Sequence, residues 1–153
     1  MKRFGLSYLM LLALPCLALG ADKGGITFYL QLIRGTDDDH PPAAAARLAG
    51  PEISRRLQMF RWKNYWEIER RTVLLGSGAK ARQRMSAEHE IEIARNSPRE
   101  MVVSIYDDGK LARRRTQPLD TPFYIAGGDK DATQSWFIVV RRDKPPEGKA
   151  GLN

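Results

Sequence analysis

The stretch Arg61-Trp62-Lys63-Asn64-Tyr65-Trp66-Glu67-Ile68-Glu69-Arg70-Arg71 sets three aromatic rings among four basic side chains. Two architectures compete for it. As a ligand surface, its rings would stack on a partner while its cations held anions. As one β-strand, a period of two sends Trp62, Trp66 and Ile68 to one face and Lys63, Tyr65, Glu67 and Glu69 to the other. The strand reading decides the fold, because it turns indoles inward and most charges outward. Trp66 becomes a core anchor, and the rings no longer form one platform with the cations. Trp62, close to a helix junction, and Tyr65, on the charged face, are the aromatic candidates for contact with another protein.

Working toward the N-terminus, Gly50-Pro51-Glu52 reads as a helix start, with proline at the first turn and an acid near the positive end of the dipole. Ile53, Leu57 and Phe60 make one apolar stripe, predicting a helix of about 9–11 residues. Thr36 to Ala46 holds Asp37, Asp38, Asp39, His40, Pro41 and Pro42 and reads as a loop. Ile26 to Arg34 alternates strictly and reads as a strand that Gly35 ends.

Working toward the C-terminus, Thr72–Leu75 continues the strand and Gly76-Ser77-Gly78 turns it. Return strands are expected at Ala79–Met85, Glu88–Ala94 and Met101–Tyr106. Asp107-Asp108-Gly109-Lys110 is a hairpin signal, since Asp-Gly supplies the positive φ that matches strand twist. Leu111–Gln117 and a short Phe123–Ala126 follow, then Gly127–Asp131 as a flexible turn. Trp136–Arg142 is apolar on both faces and reads as a central, covered strand. The fold class is therefore α+β, mainly β: an antiparallel sandwich or partly open barrel of about seven to eight strands with one early helix.

The first twenty residues differ from the rest. Lys2 and Arg3 precede an apolar run from Leu6 to Gly20, about 15 residues and too short for a comfortable membrane span. Small residues close it at Ala18, Gly20 and Ala21. That is the pattern of a cleaved secretory signal, with the cut expected after Gly20; a retained anchor is the competing reading. Cys16 is the single cysteine among 153 residues. Pro15 before it disfavours lipidation, and cleavage would remove it, leaving no thiol chemistry. Residues 21–143 then form one β-rich domain and 144–153 a frayed tail. Lys2 and Arg3 are the leader's only charges, so its loss trims the formal net charge of +7 by two.

Motifs for chemistry are sparse. Asp37–Asp39 with His40 offer hard ligands and an imidazole, but without the alternate spacing of a calcium loop. His89 lies on a strand whose neighbours Glu88 and Glu90 point away from it. Gly76-Ser77-Gly78-Ala79-Lys80 lacks the second half of a phosphate loop and a following helix. No catalytic residue, metal or cofactor is assigned. Cations are the stronger signal. Lys80, Arg82 and Arg84 alternate on one strand. Arg113 and Arg115 share a face on another, opposite Ser104 and Val102 if the Asp108-Gly109 turn sets the register, with Arg114 opposite Val103. If the two rows adjoin, they make one basic, anion-binding face.

The order ITFYLQLIR, PEISRRLQMFRWKNYWEI, then GGDKDATQSWFIVVRR resembles small exported bacterial β-rich proteins of unassigned function. The likeness covers most of the chain after the leader and implies no activity. In order of elements alone, the first strand–helix–strand unit is also similar to ring-building modules of secretion channels. The expectation is an exported, periplasmic or extracellular, non-enzymatic envelope protein that binds another protein or joins an assembly. Its partner would be another envelope protein or an anionic envelope component, with no nucleic acid and no stable membrane span after signal removal. The second reading is a binder of anionic envelope polymer or lipid through the basic face. The third is a hydrolase using His40 with Asp37–Asp39.

Overall fold

Alternation does build the scaffold, in two antiparallel sheets. A computed structural model describes residues 24–147; the expected leader, Cys16 and most of the expected tail lie outside them. The first sheet has the order β2-β3-β1-β9-β8, from Arg47–Leu48 (β2), Asn64–Leu75 (β3), Ile26–Thr36 (β1), Gln134–Arg141 (β9) and Phe123–Asp131 (β8). The second has the order β4-β5-β6-β7, from Lys80–Arg84 (β4), His89–Ala94 (β5), Glu100–Asp107 (β6) and Lys110–Pro118 (β7). The sheets face one another as a sandwich, and neither closes into a barrel.

Two apolar layers follow from the parity of β1 and β9. Phe28, Leu30 and Leu32 of β1, with Ile138 and Val140 of β9, meet Ile91, Ile93, Val103 and Ile105 of the second sheet. Ile33, Phe137 and Val139, on the other face, pack with Ile53, Leu57 and Tyr65. Both faces of the central strands are therefore dry, as the doubly apolar β9 predicts. Each fully buried aliphatic or aromatic side chain here contributes on the order of 1.5–3 kcal/mol.

The early helix is shorter than its stripe predicts. The α-helical part is Pro51–Arg56 (α1), followed by a 3-10 turn over Gln58–Phe60. Ile53 and Leu57 are buried, while Phe60 stays 40% exposed, with its ring 4.6 Å from that of Phe137. Arg61 then adopts the left-handed conformation, φ 60°, and ends the turn. This reversal corrects the expected pairing of the indoles. Trp62 precedes β3 and packs beside Gly35 and Ser135 on the helix-covered face. Trp66 lies opposite Arg34, on the face that looks into the sandwich.

A bulge corrects the strand itself. The β1–β3 register shifts between Leu32 and Ile33, so Glu69 opposes Leu32 while Glu67 opposes Ile33. Directly opposed residues share a face, and the one extra residue puts the two glutamates on different faces.

Three glycines expected to stop strands lie inside them. Gly35 pairs with Tyr65 and Ser135 within β1. Gly127 and Gly128 pair with Phe137 and Trp136 within β8, which runs on to Asp131. The described part of the expected tail contacts the fold. Pro145 is buried, and the Pro145 and Pro146 carbonyls accept hydrogen bonds from Arg70 at 3.4 and 3.1 Å.

Candidate functional site

The basic residues singled out by the sequence are all exposed, but the topology separates them. β4 and β7 are opposite edges of the four-stranded sheet. A second bulge, between Ile105 and Tyr106, shifts the β6–β7 register by one residue, so Arg113 opposes Ile105, Arg114 opposes Ser104 and Arg115 opposes Val103. Ile105 and Val103 face the other sheet, and Arg113 and Arg115 therefore do too, at the rim beside Tyr124. Burial raises the Tyr124 phenol above its usual range, and these two guanidinium groups oppose that rise. Arg114 takes the outer face, its Nε donating to Ser104 Oγ at 3.0 Å.

Lys80, Arg82 and Arg84 also lie on the outer face. Arg82 and Arg84 both donate to Glu90, at 2.6 and 3.0 Å, and Arg82 stacks 3.8 Å from the Tyr106 ring centre. Those two guanidinium groups hold Glu90 below the ordinary carboxylate range, Arg84 contributing most. The expected single basic face thus divides between two edges and two sides, with a glutamate already engaging two of the three cations in one row.

β7 itself is the more distinctive surface. Its residues Lys110 to Thr116 are exposed, and β6 pairs it on one side alone. In a strand, consecutive N–H groups point to opposite sides, so every second donor and acceptor of β7 faces outward. Cations stand above and below that open ladder.

The aromatic contact candidates are mostly committed to the fold. Tyr65 is buried, and its hydroxyl donates to the Leu57 carbonyl at 2.6 Å, fastening β3 to the end of the helical segment. Burial raises its phenol above the normal range. Trp62 is half-buried, with Nε1 donating to Ser135 Oγ at 2.7 Å; that hydroxyl donates on to Asp129 at 2.6 Å.

The acidic loop is similarly engaged. Asp37 accepts the Lys63 backbone N–H at 2.9 Å, while Asp39 accepts the Lys63 ammonium at 2.7 Å and the Asn64 amide at 2.9 Å. Asp38 accepts the His40 backbone N–H at 2.9 Å and sits 3.0 Å from its Nδ1. Asp37 and Asp39 both turn to Lys63 and Asp38 to His40, so the loop is stitched to the entry of β3. Among the described residues, no group of three or more His, Cys, Asp or Glu is placed to hold a metal ion.

The open end of the sandwich holds a cavity of about 200 Å³, lined by Arg34, Ile68, Glu88, His89, Lys130 and Trp136 among others. Ser86 and His89 line it, and Asp107 stands behind His89, in an order that suggests a nucleophile. His89 Nδ1 is 3.1 Å from Ser86 Oγ, and its Nε2 is 3.7 Å from Asp107. The backbone explains the hydroxyl differently. Ser86 Oγ accepts N–H groups from Glu88 at 3.2 Å and His89 at 3.0 Å, so its proton goes to Nδ1 and the group closes the β4–β5 turn. His89 is 5% exposed, with its ring centre 4.4 Å from that of Trp136. Burial lowers its pKa below the usual value, against the opposing pull of Asp107 and Glu88.

Arg34 is the residue that motif reading passes over. Its signal is parity: Phe28, Leu30 and Leu32 point into the sandwich, and two residues further the same face carries a guanidinium. Compared with protein-family models, curated proteins and solved structures, the chain matches none significantly.

Proposed function

We propose that this chain is an exported, non-enzymatic envelope protein that binds another protein, and that the contact is made along β7. Export rests on the basic, apolar and small-residue leader. Among the described residues, no helix is long and apolar enough to cross a membrane. The observation that carries the binding reading is the open edge of β7, nine residues long and exposed from Lys110 to Thr116. Such an edge adds an extended segment through main-chain hydrogen bonds, and side chains on either side select the sequence. Arg113, Arg114 and Arg115 select an acidic segment and repel a second copy of the same basic edge.

An anionic polymer or lipid surface needs cations on one plane. The separation of Arg82 and Arg84 from Arg113 and Arg115 supports a linear acidic segment instead.

A photo-crosslinking side chain at Arg113, Arg114 or Arg115, used in the native envelope, tests this. One discrete protein adduct is expected from these sites and none from Lys80 or Arg84 on the opposite edge. Charge reversal of the other β7 arginines is expected to abolish it. Equal adducts from both edges, or indifference to reversal, would sink the reading.

A further inference from the structure

The cavity at the open end of the sandwich contains a cation without a hydrogen-bonded anion. Arg34 stands directly opposite Trp66 on one neighbouring strand and Trp136 on the other, so it shares the inward-looking face with a tryptophan on either side. It is half-buried and lines the cavity. Among the described residues, its side chain enters no hydrogen bond or ion pair. Glu88 feels its charge, yet Lys130 takes both Glu88 oxygens, at 3.0 and 2.8 Å. The Trp66 indole N–H is also buried without an acceptor.

A half-buried guanidinium keeps several directed N–H donors, and leaving donors unmatched away from water is costly. We propose that this cavity binds a carboxylate, with Arg34 as its partner and Trp136 as the wall for the attached body. Charge selects the anion. A carboxylate has one negative charge and a planar fork that fits guanidinium bidentately. A phosphate dianion would bring a second charge toward Glu88, with Lys130 already paired. Size selects the body. About 200 Å³ is smaller than the roughly 300–1,000 Å³ of drug-sized or cofactor sites, so the ligand is a small acid or the acidic group of a larger one. Leu32, Ile68 and Trp136 supply apolar lining, while His89 stays held by Ser86. The site is separate from β7 and does not depend on the protein-binding reading.

The test is titration of the leader-free chain, observed by NMR at the Trp136 indole and the His89 ring. Benzoate, benzamide and inorganic phosphate are the first probes. Benzoate is expected to shift both signals in a saturable way, with benzamide and phosphate weaker by about tenfold or more. A short peptide with a free C-terminal carboxylate, and its amidated twin, form a second arm. Binding of the free-ended peptide without benzoate would assign the carboxylate to a protein partner; binding of benzoate alone would assign it to a small acid. Arg34→Gln is expected to weaken binding by about tenfold or more, and Arg34→Lys to recover part of it. Glu88→Gln, which leaves Arg34 in place, is expected to tighten binding and serves if the Arg34 variants do not fold. Equal shifts from acid and amide, phosphate binding as well as benzoate, or silence in both arms would each overturn the assignment.

Discussion

Gly127 has its missing side chain where Trp136 has its backbone. A Cβ on Gly127 would stand 2.1 Å from the Trp136 carbonyl oxygen and 2.7 Å from the Phe137 ring. The close approach lets β8 run against β9 where the outer strand bends toward its turn. Gly127→Ala is expected to push the strands apart and destabilise the fold by roughly 1–3 kcal/mol. Gly128, which has open space at the same position, is the internal control. Denaturant unfolding of the two alanine variants checks the difference; equal losses would remove the close-approach account.

That glycine also marks where sequence reading stops. Gly127-Gly128-Asp129 carries the composition of a turn, and composition alone cannot separate a turn from a strand that passes too near its neighbour. The true turn lies beyond, where the Asp131 carboxylate accepts the Thr133 hydroxyl and backbone N–H and the Gln134 amide, which hold its pKa down to about 2. The Asp108-Gly109 hairpin was legible because its chemistry is local: both residues have positive φ, 46° and 77°. The register it was expected to set was not, since the bulge beside Ile105 answers to packing between sheets. The sandwich, the covered β9 and the inward Trp66 all followed from period two. Arg34 was passed over, although extending the parity of Leu32 one step past the end of the apolar run would have placed it on the inward face.

Glu67 joins three parts of the helix-covered face. It accepts the Gln31 amide and two bonds from Arg70, at 2.7 and 3.0 Å, while Arg70 reaches the Pro145 and Pro146 carbonyls. Glu67 is 8% exposed and Gln31 1%. Glu67→Ala leaves a buried amide and a mostly buried guanidinium without their acceptor. A loss of about 2–3 kcal/mol is expected in thermal or chemical unfolding. Residues 144–147 are expected to gain protease sensitivity in the same variant, because Arg70 loses the partner that aims it at them. Unchanged cleavage would separate the tail from the Glu67 network.

His89 makes stability depend on pH in one direction. Asp107 and Glu88 favour its protonation, Lys130 opposes it, and burial is the largest influence, lowering the pKa from the ordinary 6.5. The unfolded chain therefore binds the proton more readily than the native one. Stability from this group is full above about 6.5, falls as pH drops below that value, and levels off once the native ring is protonated as well. Thermal unfolding followed from about pH 7.5 to about pH 5 should show the fall, and His89→Gln should flatten it. A native chain that gains stability over that interval would contradict the buried neutral ring.

The arginines of β7 are expected to act against self-association as well as in selecting a partner. Arg113 and Arg115 stand at the rim on the core side and Arg114 on the outer side, so two β7 edges brought together would set like charges across from one another. An edge this long without charges is a template for pairing. Replacing Arg113 and Arg115 by threonine keeps strand propensity and removes the repulsion. Tyr124, beside these guanidinium groups, is covered by the second sheet rather than by them alone, so the folded state is expected to survive with a loss of about 1 kcal/mol or less. Sedimentation of the double variant against the parent should show added, concentration-dependent association that high salt does not reverse. If the variant sediments as the parent does at every concentration, charge is not what keeps this edge open.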